Sequence, residues 1–485
     1  MKYKALYWIV LCLLAFSALV PVRFAAAQAP LDDPLPAPEA TAEVVPDVQS
    51  LELGNKLYLP ALVSAPPPKG YYVATNGSDS AAGTYEKPWR SINTAVSRLK
   101  PGETLYIRGG IYNEAVNIRV SGTQSAPVKI TGFTGETAVI EGSGRLPTNY
   151  SGLVSIYGDW VEVRDLEVRN SSYSGVALYG EHNMVSGVFA HHSKKSGITA
   201  SGDYSIVENS SAWRNSLLNE NSASPSSYST GITAARDQED GLTEHAIIRN
   251  NHAWENWGQG ISTYESNGTI ISGNFVHDSY STNIYISDAT NVLVKGNFVY
   301  MNPASYVYGH GANVGIMLGD ERYKPASSNI TIVNNIAYGN KRNLFWWKGE
   351  RGFMNNVLIA NNTFVNSTYG AGVMLNEGAH VNVRFLYNIV AQDNGIDPIA
   401  LNANQDIRFA NNLWSETPQK YAVGTGDVIG DPGLTKTGTV FGHDYYRLRA
   451  DSNAINRAAA LPEVNVDFFL VARAAPPDIG AVEYK

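Results

Sequence analysis

Apolar and polar residues alternate in short strings that open Gly197-Ile198, Gly231-Ile232, Gly260-Ile261, Asn283-Ile284, Gly315-Ile316, Asn343-Leu344 and Gly372-Val373. Stretches such as Ile-Ser-Thr-Tyr-Glu (261–265) and Val-Leu-Val-Lys-Gly (292–296) have the period of a strand and end at turn-forming residues. An Asn recurs once per repeat, at 251, 274, 297, 335, 362, 388 and 412, with spacings of 23, 23, 38, 27, 26 and 24 residues. Short strands on a repeat of about two dozen residues, interrupted by insertions, predict a parallel β-helix: each turn pairs its backbone with the next and encloses a continuous core. The Asn column then belongs at one bend, where carboxamides bond to one another and to turn backbone, and it reads as scaffold.

Aligning the strings by their first apolar residue assigns an inward column of Ile198/Ala200, Ile232/Ala234, Ile261/Thr263, Ile284/Ile286, Ile316/Leu318, Leu344/Trp346 and Val373/Leu375. The intervening positions point away from the core: Thr199/Ser201, Thr233/Ala235, Ser262/Tyr264, Tyr285/Ser287, Met317/Gly319, Phe345/Trp347 and Met374/Asn376. Rings beside hydroxyls suit sugar faces, which makes Tyr264, Tyr285 and Trp347 substrate-binding candidates; cross-strand pairing explains such rings equally well. The fifth step reads Gly202, Arg236, Glu265, Asp288, Asp320, Lys348 and Glu377. Carboxylates on consecutive turns would sit roughly 5 Å apart, a repulsion that a cation, a proton or a ligand relieves.

Two chemistries fit that column. In one, Ca²⁺ bridges Asp237, Asp240, Glu265, Asp288 and Asp320 to an acidic sugar while Lys348 or Arg236 removes a proton in β-elimination. In the other, Glu265, Asp288 and Asp320 supply the acid and its partner of a glycoside hydrolase. A solvated turn rich in charged residues is the plainer alternative. Insertions at 216–230, 300–313, 237–240, 321–328 and 349–355 all border this face, as insertions around a binding groove do.

Charge and composition narrow the class. Net charge is −8, with no broad basic stripe, which argues against a nucleic-acid partner. Lys2 and Lys4 precede an apolar run from Ala5 to Val20 and small residues at 25–27, the pattern of a secretory signal peptide over 1–27. Its removal would delete the single cysteine, Cys12, and take the charge to −11. The expected product is secreted, extracellular or cell-surface, without disulfides, and no later apolar run is long enough to span a membrane. Residues 28–69 read as a Pro/Ala-rich linker, with 57–63 as a stray strand candidate. His191-His192-Ser193-Lys194-Lys195 reads as a solvated turn or, less simply, a basic rim for an anionic chain.

Tyr71 to Asp79, Gly83-Thr84, Lys87 to Ile92 and Gly109 to Tyr112 resemble the module that opens many secreted right-handed parallel β-helix proteins of the pectate-lyase-like superfamily. Tyr446-Arg447-Leu448 and Asp478 to Glu483 are similar to the closing segment of bacterial surface β-helix proteins. The resemblance implies an all-β right-handed parallel β-helix over 70–485, with a capping module at 70–150, core rungs at 151–417 and a closing segment at 418–485. Ser91 to Leu99 has the amphipathic pattern of a short helix capping the first rung. The resemblance also implies an enzyme acting on acidic polysaccharide; a non-catalytic carbohydrate-binding or adhesive solenoid is the alternative. Gly309-His310-Gly311 resembles a polygalacturonase motif and puts His310 among the substrate-binding candidates. The other elements of that motif are missing, so no catalytic role transfers.

Overall fold

The computed structural model describes residues 66–224, 228–235, 241–321, 326–348, 352–375, 378–401 and 406–485. Residues 1–27, most of the linker including 57–63, and Arg236, Asp237, Asp240 and Glu377 lie outside them. Residues from Lys69 to Lys485 form one compact unit.

That unit is a parallel β-solenoid of about 11 turns with very little helix. Three ladders of parallel strands run along it. The first joins Val116–Ile118, Gly152–Ile156, Ser174–Leu178, Ile198–Ala200, Thr230–Ala235, Gln259–Asn267, Thr282–Thr290, Val314–Asp320, Arg342–Lys348, Ala371–Met374 and Asp397–Ala400. The second runs from Tyr71–Val73 to Ile407–Ala410, and the third from Gly110–Tyr112 to Val428–Ile429. The register carries Ile198 to Ile232, Ile261, Ile284, Ile316, Leu344 and Val373 on successive turns. All seven are fully buried, because period-two alternation on a closed coil puts one face of every strand inside.

The Asn column is the bend between the second and third ladders. Each residue before it has left-handed backbone, which favours the Gly or Asn found at 250, 273, 296, 334, 361 and 411, with Tyr387 the exception. Asn251, Asn274, Asn297, Asn335, Asn362 and Asn388 each donate from Nδ2 to Oδ1 of the next Asn at 2.9–3.2 Å. The same Oδ1 accepts the backbone N–H of the preceding Asn, so the amides complete the bend's hydrogen bonding as scaffold.

At the N-terminal end the helix spans only Ile92–Val96, shorter than the apolar pattern of 91–99 predicts. Pro101 disfavours helix at the residue before it, and Gly102 turns the chain with φ +82°. Ser91 caps this helix, and the Glu114 carboxylate accepts the Ile92 and Asn93 N–H groups at 2.8 and 3.1 Å. At the other end, residues 430–485 fold back along the solenoid: Gly480 N–H reaches Tyr387 O at 2.8 Å, and Phe441 and Tyr446 pack on Tyr300 and Phe298. Arg473 anchors this segment, 4 % exposed, with Nη1 on Glu483 and Nη2 on Asn334 Oδ1, both at 2.6 Å.

Candidate functional site

The outer face of the first ladder is the surface that the insertions flank. Its floor is built by register: Ser262 lies opposite Tyr285, Tyr264 opposite Ser287, Tyr285 opposite Met317, Met317 opposite Phe345, and Gly319 opposite Trp347. At the next step the chain bends. Glu265 and Asp288 both take left-handed backbone with φ 49°, and Asp320 pairs in register with Lys348 on the adjacent turn.

The structure brings Asp288 and Asp320 onto neighbouring turns, and both are fully buried. Oδ2 of Asp288 accepts the Ser287 hydroxyl at 2.8 Å and the Glu321 N–H at 3.3 Å; Oδ2 of Asp320 accepts the Phe353 N–H at 3.3 Å. Tyr285 is 4 % exposed, its ring laid across the next turn where Gly319 has no side chain: a Cβ there would come within 2.4 Å of the Tyr285 hydroxyl. That hydroxyl donates to Glu321 Oε1 at 2.5 Å, and burial, then the Glu321 charge, holds the phenol well above its ordinary pKa. Tyr285 therefore points away from the core, as the alternation predicts, yet is buried, with its hydroxyl on Glu321. Tyr264 and Trp347 are partly exposed on the same face.

Across this face, the insertions before each strand pack on one another. Trp257, Tyr280 and Val307 form a small buried cluster with Leu217 and Tyr228 against it. His310 is exposed, its ring edge-on to Trp257 at 5.4 Å, and Gly311 must lack a side chain because a Cβ would fall 2.1 Å from Tyr280 O. Lys341 Nζ donates to Gly311 O at 2.6 Å, tying the 300–313 insertion to the residue before the strand Arg342–Lys348.

A divalent cation would need several oxygen donors converging on one point. Among the described residues no three His, Cys, Asp or Glu side chains do so, and Asp288 and Asp320 spend oxygens on N–H and hydroxyl donors. The described part of the expected set, Glu265, Asp288 and Asp320, does not by itself fit Ca²⁺; Asp237 and Asp240 lie outside the described residues.

The third ladder carries an aromatic array that the strand patterns did not reveal. Rings of His191, Trp213 and Trp254 stack at 4.2 and 4.8 Å on successive turns, and His277 stacks on Tyr300 at 4.4 Å. In the segment His191 to Lys195, the His191 and His192 rings are half-buried and Lys194 is exposed. The Nδ1 atoms of the two rings lie 2.7 Å apart; burial, then His192, pushes His191 down to about 4, and burial also lowers His192. Such rings come from residues more than 20 apart in sequence, and only the recurrence of Trp or His three residues after the ladder Asn, as in 251–254 and 274–277, hints at the column.

A family model described as "Pel9A-like, right handed beta helix region" matches residues 71–382. A pectate lyase PEL9 of Emericella nidulans is 35 % identical over 125 residues, a stretch covering 23 % of this chain and 30 % of that relative's length. Pectate lyase L of Dickeya dadantii is 24 % identical over 434 residues, 85 % of this chain and 90 % of that one. Among solved structures, pectate lyase Pel9A superposes with a TM-score of 0.51 at 19 % identity, covering 86 % of this chain and 96 % of its own, a likeness of fold. Since the family model matches more than half of the chain, from the first strand of the second ladder to the strand Val381–Leu386 of the same ladder, the chain belongs to the Pel9A-like right-handed β-helix family.

Proposed function

We propose that this chain is a polysaccharide lyase that lays a pectate-like acidic polysaccharide along the outer face of the first ladder and cleaves it by β-elimination. The match to the Pel9A-like family over 71–382, with relatives named pectate lyases, carries this reading. The flanking insertions and the bend column support it. In β-elimination a base takes the proton beside a uronate carboxyl, those electrons form a carbon–carbon double bond, and the glycosidic C–O bond breaks. Lys348 and Arg236 are the candidate bases. Asp288, Asp320 and Glu265 are the candidate acids of the column, and Tyr264, Tyr285, Trp347 and His310 the candidate substrate contacts. Ca²⁺ held by Asp237, Asp240, Glu265, Asp288 and Asp320 remains part of the proposal, and no step is assigned to it. The leader and linker favour action outside the cell, at the surface or in the medium; no helix of the described residues is long and apolar enough to cross a membrane.

The test incubates the full chain with pectate, alginate and neutral xylan or arabinan, with Ca²⁺ or with EDTA, following ultraviolet absorbance and reducing ends together. Absorbance rising with reducing ends on an acidic polymer supports the lyase, and abolition by EDTA supports the cation. Reducing ends without absorbance would replace the lyase with a hydrolase, and binding without product with a carbohydrate-binding solenoid. In the lyase, Asp288→Asn and Asp320→Asn each lower kcat about 100-fold. If both leave turnover intact, the column is scaffold.

A further inference from the structure

Several arginines along the solenoid are paired with acids. Arg108 sits on Glu136, Arg169 on Glu141 and Glu167, Arg214 on Glu255, Arg249 on Glu208, and Arg473 on Glu483, at 2.6–2.9 Å. Arg342 differs. It opens the strand Arg342–Lys348 on the first ladder, opposite Val314, which in turn lies opposite Thr282; earlier on the ladder Thr230 lies opposite Gln259. Its charge thus replaces a neutral residue at an equivalent position of the repeat.

The Arg342 guanidinium carbon lies 5.1 Å from the Phe345 ring centroid and 5.2 Å from that of Tyr369, and its Nε reaches Met374 Sδ at 2.9 Å. Gly370 leaves its Cβ space open: an added Cβ would sit only 3.6 Å from Nε and Nη2. No described carboxylate forms an ion pair with Arg342. Burial lowers its pKa, so the site disfavours the very charge it holds. Burial, then Arg342, also lowers Lys341 beside it. A half-buried guanidinium beside two rings, with no described acid paired to it, has the chemistry to take an anion. Tyr369, whose ring lies beside the guanidinium, is 58 % exposed.

We propose that Arg342 forms a carboxylate-recognition subsite with Phe345, Tyr369 and Met374, taking the carboxylate of one uronate residue of a bound acidic polysaccharide. The proposal rests on the acidic-polysaccharide reading above and adds to it where along the first ladder charge is read. A neutral sugar at this position leaves the guanidinium unpaired, so the subsite selects for acid over ester or alcohol.

Dissociation constants of the full chain are measured by calorimetry on oligogalacturonate and on its methyl ester, for wild type, Arg342→Gln and Arg342→Lys. Thermal melts monitor folding. The expected result is a loss of about ten-fold or more on the acid with Arg342→Gln, little change on the ester, and partial rescue by Arg342→Lys, because a charge-assisted pair is lost. Equal loss on both ligands, or none on the acid while wild type still binds it, overturns the subsite and leaves the lyase reading standing. Wild type binding neither ligand overturns both. An Arg342→Gln chain that melts with wild type and binds the two ligands alike supports the proposal directly.

Discussion

Two bends of the same coil each place one residue on top of another turn after turn, and they behave in opposite ways. Between the second and third ladders the residue is Asn on seven successive turns, each buried and bonded to its neighbours. After the first ladder the equivalent stack changes from Glu265 to Asp288 to Asp320 to Lys348. A carboxamide carries donor and acceptor together, so identical residues can stack indefinitely. A carboxylate only accepts, so each needs a different partner, and Asp288 and Asp320 find theirs in Ser287, Glu321 and Phe353. Uniformity therefore marks scaffold, and broken uniformity beside insertions marks where chemistry can be placed.

The most damaging way to break this contrast is to make the scaffold column acidic. Asn297→Asp removes the donor to Ile271 O and Asn335 Oδ1 while keeping the oxygen that accepts from Asn274, and it is expected to cost about 3–5 kcal/mol at neutral pH. Among acceptors the introduced carboxyl's pKa rises above its unfolded value near about 3.9, so the folded state binds the extra proton more readily. The penalty then shrinks as pH falls, and chemical denaturation at pH 7.5 and 5 compared with wild type reads it. A variant as stable as wild type at neutral pH would show that the amide's donor is dispensable.

The contrast sharpens at the closing segment, where carboxylates do gather around one cation. Asp467, Glu483 and Asp478 surround Arg473 and share backbone N–H donors, and burial lowers the Arg473 pKa while Glu483 and the two Asp residues oppose that shift. Arg473→Leu leaves Glu483 with N–H partners but no charge partner, for an expected loss of about 3 kcal/mol measured by the same denaturation. A neutral outcome would mean that these carboxylates tolerate one another without the guanidinium.

The smallest effect belongs to the third ladder. Burial, then His277, lowers His252 to about 3, and His191 lies at about 4. The unfolded chain thus binds protons at these positions below about 6.5 that the folded chain refuses. Their contribution is fully present above that pH and is lost as pH falls toward 4. A melting temperature that drops over this window in wild type, and drops less in His252→Phe, is the expected observation; parallel curves would remove the imidazoles from the acid response.

The coil, its period and the inward column were legible because a closed solenoid must bury one face of every strand, and the seven column residues from Ile198 to Val373 are all buried. The Asn scaffold was legible for a related reason: a residue that must bond to its own copy has to recur. The helix boundary was less so, since the apolar pattern of 91–99 runs on past Val96, where the helix stops at the Ser97 cap. The burial of His191 was not legible, because it comes from Trp213 and His192 packed against it. Tyr285 shows the same limit. Alternation states that it leaves the core, and only the Glu321 contact and the bare Gly319 beneath it determine that it is covered.

Sequence by itself determined which residues face the core and which bend repeats, because those properties follow from strand period and from the self-complementarity of the amide. Tertiary structure alone decided which outward groups meet solvent and which cations lack a partner. Arg342 and Arg249 look alike in sequence; one faces rings and a thioether, the other the Glu208 carboxylate one turn away. Stacking turns brings together side chains from more than 20 residues apart, and the partner a charge meets there sets its protonation, its exposure and the ligand it can take.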